Sequence, residues 1–70
     1  MKLGTLTVKR FFRLPDDPEG KIWRKDYPLP GTPEGKDEVR LITHDPNLHT
    51  LMLRDTEIIE VRQVITYEDV

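Results

Sequence analysis

Apolar and polar residues alternate along this chain in short runs, and clusters of proline, glycine and aspartate separate the runs. A period of two is the signature of a strand with one buried face. Over residues 5–14, Leu6, Val8, Phe12 and Leu14 fall on one face, while Thr5, Thr7, Lys9, Phe11 and Arg13 fall on the other; Arg10 interrupts the apolar side. Residues 21–27 form a second strand. Residues 38–44 form a third, with Val39 and Leu41 opposite Ile42. Residues 50–54 form a short fourth and residues 57–67 a long fifth, in which Ile59, Val61, Ile65 and Tyr67 alternate and Gln63 is the exception.

The last segment also admits a helix, capped by Asp55 or Thr56 with Glu57 in its first turn. Its density of valine, isoleucine and threonine favours the strand, because these side chains are stiff and pack best on a pleated surface. Pro28-Leu29-Pro30-Gly31 is an edge, a kink or a loop, since proline supplies no ladder donor. A short 3₁₀ turn is expected at Asp45-Pro46-Asn47.

Two identical tetrapeptides, Pro18-Glu19-Gly20-Lys21 and Pro33-Glu34-Gly35-Lys36, mark chain reversals. Proline presets φ early in a turn, and glycine accepts a positive φ at its end. The flanking strands do not match, so the repeat is one turn solution used twice. The expected architecture is a single all-β domain over residues 1–70: a five-stranded antiparallel barrel or sandwich, SH3-like or OB-like in size.

Composition sharpens this picture. Alanine, serine and cysteine are all absent. Without alanine the chain leans away from helix. Without cysteine it has neither disulfides nor thiolate metal ligands, and with the short polar start Met1-Lys2-Leu3-Gly4 this leads to the expectation of a cytoplasmic protein with no signal peptide. No apolar run reaches the ~20 residues of a membrane-spanning helix. Seventy residues bury only about 60% of the surface exposed by the unfolded chain, so self-association is a common remedy at this size. The net charge is −2, divided unevenly: residues 1–40 hold nine Lys or Arg against seven Asp or Glu, and residues 41–70 hold two against six.

Little catalytic chemistry is available. Without serine and cysteine there is no Ser-His or Cys-His pair. The adjacent Asp16 and Asp17 belong to a turn, and no glycine-rich phosphate loop is present. His44 and His49 lack the spacing of a metal site. No enzyme activity, metal, cofactor, small-molecule substrate or membrane association is therefore expected.

Binding is the better prospect. One register of the first hairpin places Arg13 opposite Trp23, Phe11 opposite Lys25 and Lys9 opposite Tyr27, with Arg10 against Asp26 on the other face. The resulting surface of Lys9, Phe11, Arg13, Trp23, Lys25 and Tyr27 interleaves cations with rings. Such pairs stabilise a hairpin by roughly 0.5–1 kcal/mol each. They also suit a protein partner, because Trp, Tyr and Arg dominate interface energetics. Joined by Lys21 and Arg24, they would suit single-stranded nucleic acid. On the last strand, Ile58 and Val64 face away from Ile59, Val61 and Ile65 and are the expected oligomer contact.

Residues 45–55, Asp-Pro-Asn-Leu-His-Thr-Leu-Met-Leu-Arg-Asp, resemble a segment of Sm-like proteins, in which an Asp and an Asn precede an apolar run. The resemblance would make Asp45 and Asn47 RNA-lining positions. It covers eleven of seventy residues. Pro46 departs from the pattern, and the family's N-terminal helix and second motif are missing, so no family is assigned. The leading expectation is a non-enzymatic, homo-oligomeric module that binds a protein. A nucleic-acid-binding barrel and a structural assembly subunit, such as a phage-encoded one, are the alternatives.

Overall fold

The computed structural model describes residues 1–70. A 3₁₀ turn, Leu3–Thr5, precedes six strands: β1 Phe11–Arg13, β2 Ile22–Lys25, β3 Lys36–Leu41, β4 Asp45–Leu53, β5 Ile59–Gln63 and β6 Tyr67–Asp69. They form one antiparallel sheet in the order β4-β3-β2-β1-β5-β6. The first four strands make a meander. The chain then crosses one face of the sheet, and β5 pairs on the far side of β1. No α-helix is present, and no helix is long and apolar enough to cross a membrane.

The all-β expectation holds, but the five-stranded barrel or sandwich does not: the sheet has six strands and is open. Three local events account for the difference. Residues 5–14 are not one strand. Their first half is the 3₁₀ turn and a reversal in which Arg10 N–H donates to Thr7 C=O (3.3 Å) and Lys9 adopts φ 72°. The single strand expected over residues 57–67 is broken, because Val64 N–H donates to Thr66 C=O (2.8 Å) and turns the chain between β5 and β6. The turn expected at Asp45-Pro46-Asn47 lies within β4, and the 3₁₀ turn is found at the N-terminal end instead. The repeated turns behave as expected, with Gly20 at φ 64° and Gly35 at φ 79°.

The segment from Met1 to Gly4 runs beside residues 54–58, the connection from β4 to β5. Leu3 N–H donates to Thr56 C=O (3.0 Å), Gly4 N–H to Arg54 C=O (2.9 Å), and Ile58 N–H to Met1 C=O (2.8 Å). This ribbon lies on one face of the sheet. Leu3, Leu6 and Ile58 from the cover meet Phe12 and Val39 from the sheet, with Leu14, Trp23 and Met52 around them. Ile58 is thus a core residue, 2% exposed, and not an outward-facing contact as expected. It precedes β5, so its side chain belongs to the crossing segment rather than to the strand's alternation.

Lys25 fixes the cover to the sheet. Its side chain is buried on the covered face, and its ammonium donates to the carbonyls of Leu6 (2.8 Å), Leu3 (3.1 Å) and Gly4 (3.5 Å). These carbonyls have no partner within the short 3₁₀ turn except where Leu3 also accepts from Leu6 N–H. Asp37 Oδ2 lies 3.6 Å from the same ammonium, and Arg54 Nε lies 3.5 Å from Asp37 Oδ1 while its Nη2 donates to Gly4 C=O (3.3 Å). A buried charge costs several kcal/mol to desolvate unless it is fully paired; here hydrogen bonds and a carboxylate supply the pairing.

Lys25→Met keeps the stem and removes the donors. It leaves the Leu6 carbonyl unpaired, that of Leu3 with Leu6 N–H alone and Asp37 with one cation fewer, an expected cost of about 3 kcal/mol. For a domain of this size that lowers Tm by at least about 10 °C. Exposed Lys36→Met should leave Tm nearly unchanged, and thermal denaturation of both variants checks the contrast.

Candidate functional site

No strand or helix packs on the face opposite the N-terminal cover; at one end Thr32, from the loop between β2 and β3, reaches Glu38. Its side chains come from alternate positions of each strand: Phe11 and Arg13 on β1, Ile22 and Arg24 on β2, Glu38 and Arg40 on β3, Ile59 and Val61 on β5, and Tyr67 and Asp69 on β6. Ile22 and Val61 are nearly inaccessible, 5% and 3% exposed, among longer neighbours such as Arg13, Arg24 and Phe11. Arginine stems cover apolar surface in this way while the guanidinium stays wet.

The six residues expected on one hairpin face do not share one. Phe11 pairs with Arg24, Phe12 with Trp23 and Arg13 with Ile22, one residue out of step with the expected register. A one-residue slip moves every side chain of a strand to the other face. Trp23 and Lys25 therefore lie on the covered side, while Phe11 and Arg13 remain on the open one. The extra residue is taken up at Lys9 and Arg10, which both oppose Lys25: Lys9 N–H donates to Lys25 C=O (2.7 Å), and Lys25 N–H donates to Arg10 C=O (3.0 Å). This is a β-bulge with its first residue in the left-handed region, a position glycine normally fills. The observed register stacks Trp23 on Phe12 at 6.5 Å and 15°. The expected one would have exposed an indole that removes some 150–250 Å² from water when buried.

Lys9 and Tyr27 do meet, just beyond the strand ends, with the ammonium 5.5 Å from the ring centroid. Val64 is exposed in the loop between β5 and β6, remote from the core position of Ile58. Of the histidines, His44 Nδ1 lies 2.8 Å from Thr43 Oγ1, and His49 Nε2 accepts from Arg40 Nη2. No three His, Asp or Glu side chains converge on a common point. Asp45 and Asn47, the pair behind the Sm-like resemblance, sit at the exposed start of β4, where Asn47 N–H donates to Asp45 Oδ1 (3.3 Å).

Sequence reasoning missed the charge node just past the end of β2 on this face. Asp26 is 8% exposed, and three cations surround it: Arg24 Nε at 2.7 Å, Lys9 Nζ at 3.5 Å and Arg40 Nε at 3.6 Å. Glu38, equally buried, accepts from Thr32 Oγ1 (3.1 Å). Lys9, Asp26, Glu38 and Arg40 line, with Tyr27, Leu29 and His49, a cleft of about 200 Å³, small beside the ~300–1,000 Å³ of ordinary ligand pockets. Across the face, Arg13 holds Asp69 through two bonds of 2.9 Å, and Phe11 and Tyr67 meet edge to face at 5.5 Å. The i, i+2 spacing of Arg24 and Asp26 was the available clue. Arg40 and Tyr67 join only through strand pairing.

Burial alone would push the Asp26 carboxyl upward. The Arg24 hydrogen bond, with the charges of Arg24, Lys9 and Arg40, outweighs burial and holds it below the ordinary aspartate range. The Arg13 guanidinium, through its hydrogen bond, likewise lowers Asp69. Compared with family models, curated proteins and solved structures, the chain matches none.

A depressed carboxyl stabilises the fold above its unfolded pKa and loses that contribution as pH falls through its folded value. The Tm deficit of Asp26→Asn should therefore be full at pH 7 and shrink as pH falls below 3.8, the ordinary value. Melting curves of both proteins across that range check this. A deficit of the same size at every pH would mean that Asp26 does not act through its charge.

Proposed function

We propose that this chain is a small non-catalytic module that presents the open face of its sheet to a protein partner. One observation carries the reading: an uncovered face built from Phe11, Tyr67, Arg13, Arg24 and Arg40 over the apolar floor of Ile22 and Val61. Aromatic residues and arginine are enriched in the buried cores of protein interfaces, where a few of them carry most of the binding energy. The guanidiniums of Arg13 and Arg24 are already fixed by carboxylates, so less side-chain freedom is lost on binding.

Nucleic acid is served less well by the same geometry. Phosphate binding draws on free cationic charge. Arg13 is paired with Asp69, and Lys9, Arg24 and Arg40 surround Asp26. A phosphate would have to displace carboxylates already in place.

A photo-reactive phenylalanine analogue at position 67, introduced in cells that express the chain, should cross-link a discrete protein identifiable by mass spectrometry. The same group at exposed position 36 should not. Against the purified partner, Tyr67→Ala should then cost about 2 kcal/mol of affinity, as interface anchors do. Cross-links to nucleic acid, or the same products from both positions, would defeat the reading.

A further inference from the structure

The two edges of the sheet are unlike. β6 is three residues long and carries Glu68 and Asp69, so two β6 edges would bring acid against acid. Short, charged edges are a usual defence against unwanted pairing. β4 is nine residues long and has no Lys, Arg, Asp or Glu after Asp45. Along it Leu48, Leu51 and Leu53 are 41%, 38% and 59% exposed.

The hydrogen bonds set the phase of the free edge. Arg54 N–H donates to Gly35 C=O (2.9 Å), and the register runs Lys36 to Leu53, Asp37 to Met52, Glu38 to Leu51, Val39 to Thr50 and Arg40 to His49. In an antiparallel pair, alternate residues turn both main-chain groups toward the neighbour. Arg54, Met52 and Thr50 therefore face β3, and Leu53, Leu51 and His49 direct theirs outward. Of these outward groups only Leu53 C=O is taken, by Thr56 N–H (3.0 Å). Beyond His49 the ladder is interrupted, since Leu41 pairs with Asp45 and residues 46–48 bulge out. The regular free edge is His49–Leu53.

We infer that this edge pairs with the same edge of a second copy, antiparallel about a two-fold axis at Leu51. Leu51 faces the partner's Leu51, and His49 faces the partner's Leu53. This register makes about four main-chain hydrogen bonds. It joins Leu51 to its counterpart on the open face and sets Thr50 beside Met52 on the covered one. Overlap selects it: here all five residues of the regular edge are paired, whereas sliding the strands by two residues in either direction leaves only His49–Leu51 or only Leu51–Leu53 opposite their counterparts. The contact is isologous and closes with two copies, while pairing β4 with β6 would leave free ends and grow without limit. The two six-stranded sheets continue into one. Because the interface is a single strand, the dimer is weak, with Kd between about 1 µM and about 1 mM. The inference uses the sheet edge and is independent of the partner proposed for the open face.

Sedimentation equilibrium of the purified chain across that concentration range should show monomer and dimer, with Leu51→Lys weakening the dimer at least about tenfold while far-ultraviolet circular dichroism is unchanged. If that variant unfolds, Leu53→Lys takes its place. The chain has no cysteine, so Leu51→Cys supplies a single thiol opposite its own copy. It should oxidise to a disulfide dimer faster than Ile65→Cys, whose position is 95% exposed in the loop between β5 and β6. A monomer at the highest concentration, equal association by a folded edge-lysine variant, or equal oxidation at positions 51 and 65 would each overturn the edge pairing. A monomer that still cross-links a partner through position 67 would overturn it and leave the open-face reading intact.

Discussion

The ammonium of Lys25 is the point on which the covered side of this domain depends. A 3₁₀ turn of three residues has too few internal hydrogen bonds to satisfy its own carbonyls. Laid on an apolar sheet face, it would bury polar groups without partners. A lysine rising from β2 answers three of those carbonyls at once, and Asp37 and Arg54 extend the network to β3 and to the end of β4. Only with the turn secured can Leu3 and Leu6 cover Phe12 and Val39. The apolar core is then continuous from the N-terminal segment to Ile58, although only eight apolar residues are buried.

The same lysine explains why the two faces differ. The bulge at Lys9 and Arg10 sets which residues of β1 and β2 share a side, and it is built on the main-chain groups of Lys25. One face receives Phe12, Trp23 and the Lys25 side chain and is covered. The other receives Phe11, Arg13, Ile22 and Arg24 and is left open. On that open face no strand or helix lies on top, so apolar floor and charged rim are arranged by its own side chains and, at Glu38, by Thr32 of the loop between β2 and β3. Asp26 organises the rim: one nearly buried carboxylate gathers three cations around it.

Much of this was legible in the sequence. Both Pro-Glu-Gly-Lys turns fall where proline and glycine placed them, β2 and the second half of β4 lie within the runs that alternation marked, and β3 overlaps its run but starts two residues earlier. What failed to show has physical reasons. Lys9 stands at a positive φ where glycine would have announced a bulge, so the register of the first hairpin read one residue out. Val64-Ile65-Thr66 turns the chain with three β-branched residues and none of the usual turn formers, so β5 and β6 read as one strand. Lys25 looked like a surface cation because its partners are main-chain carbonyls, which leave no trace in composition. The candidate site was half legible: Phe11, Arg13, Lys9 and Tyr27 keep their expected side or partner. Trp23 and Lys25 changed face with the register, and Arg40 and Tyr67 enter through strand pairing that no local pattern encodes.

The small core also bears on why one edge stays unguarded. A seventy-residue chain with eleven buried residues has little apolar surface left to cover another strand. The acidic half of the sequence is spent partly on β6, whose charges close one edge. On β4 the free groups of His49, Leu51 and Leu53 have only Pro46 and the bulge over residues 46–48 beside them, and these guard one end of the strand. Proline and a bulge stop a neighbour from running the full length of an edge, but they leave a short regular ladder available. A ladder of that length is long enough to define a register and too short to hold a permanent dimer. Paired as inferred, such an edge would give an association that follows concentration and would leave the open face of each copy free.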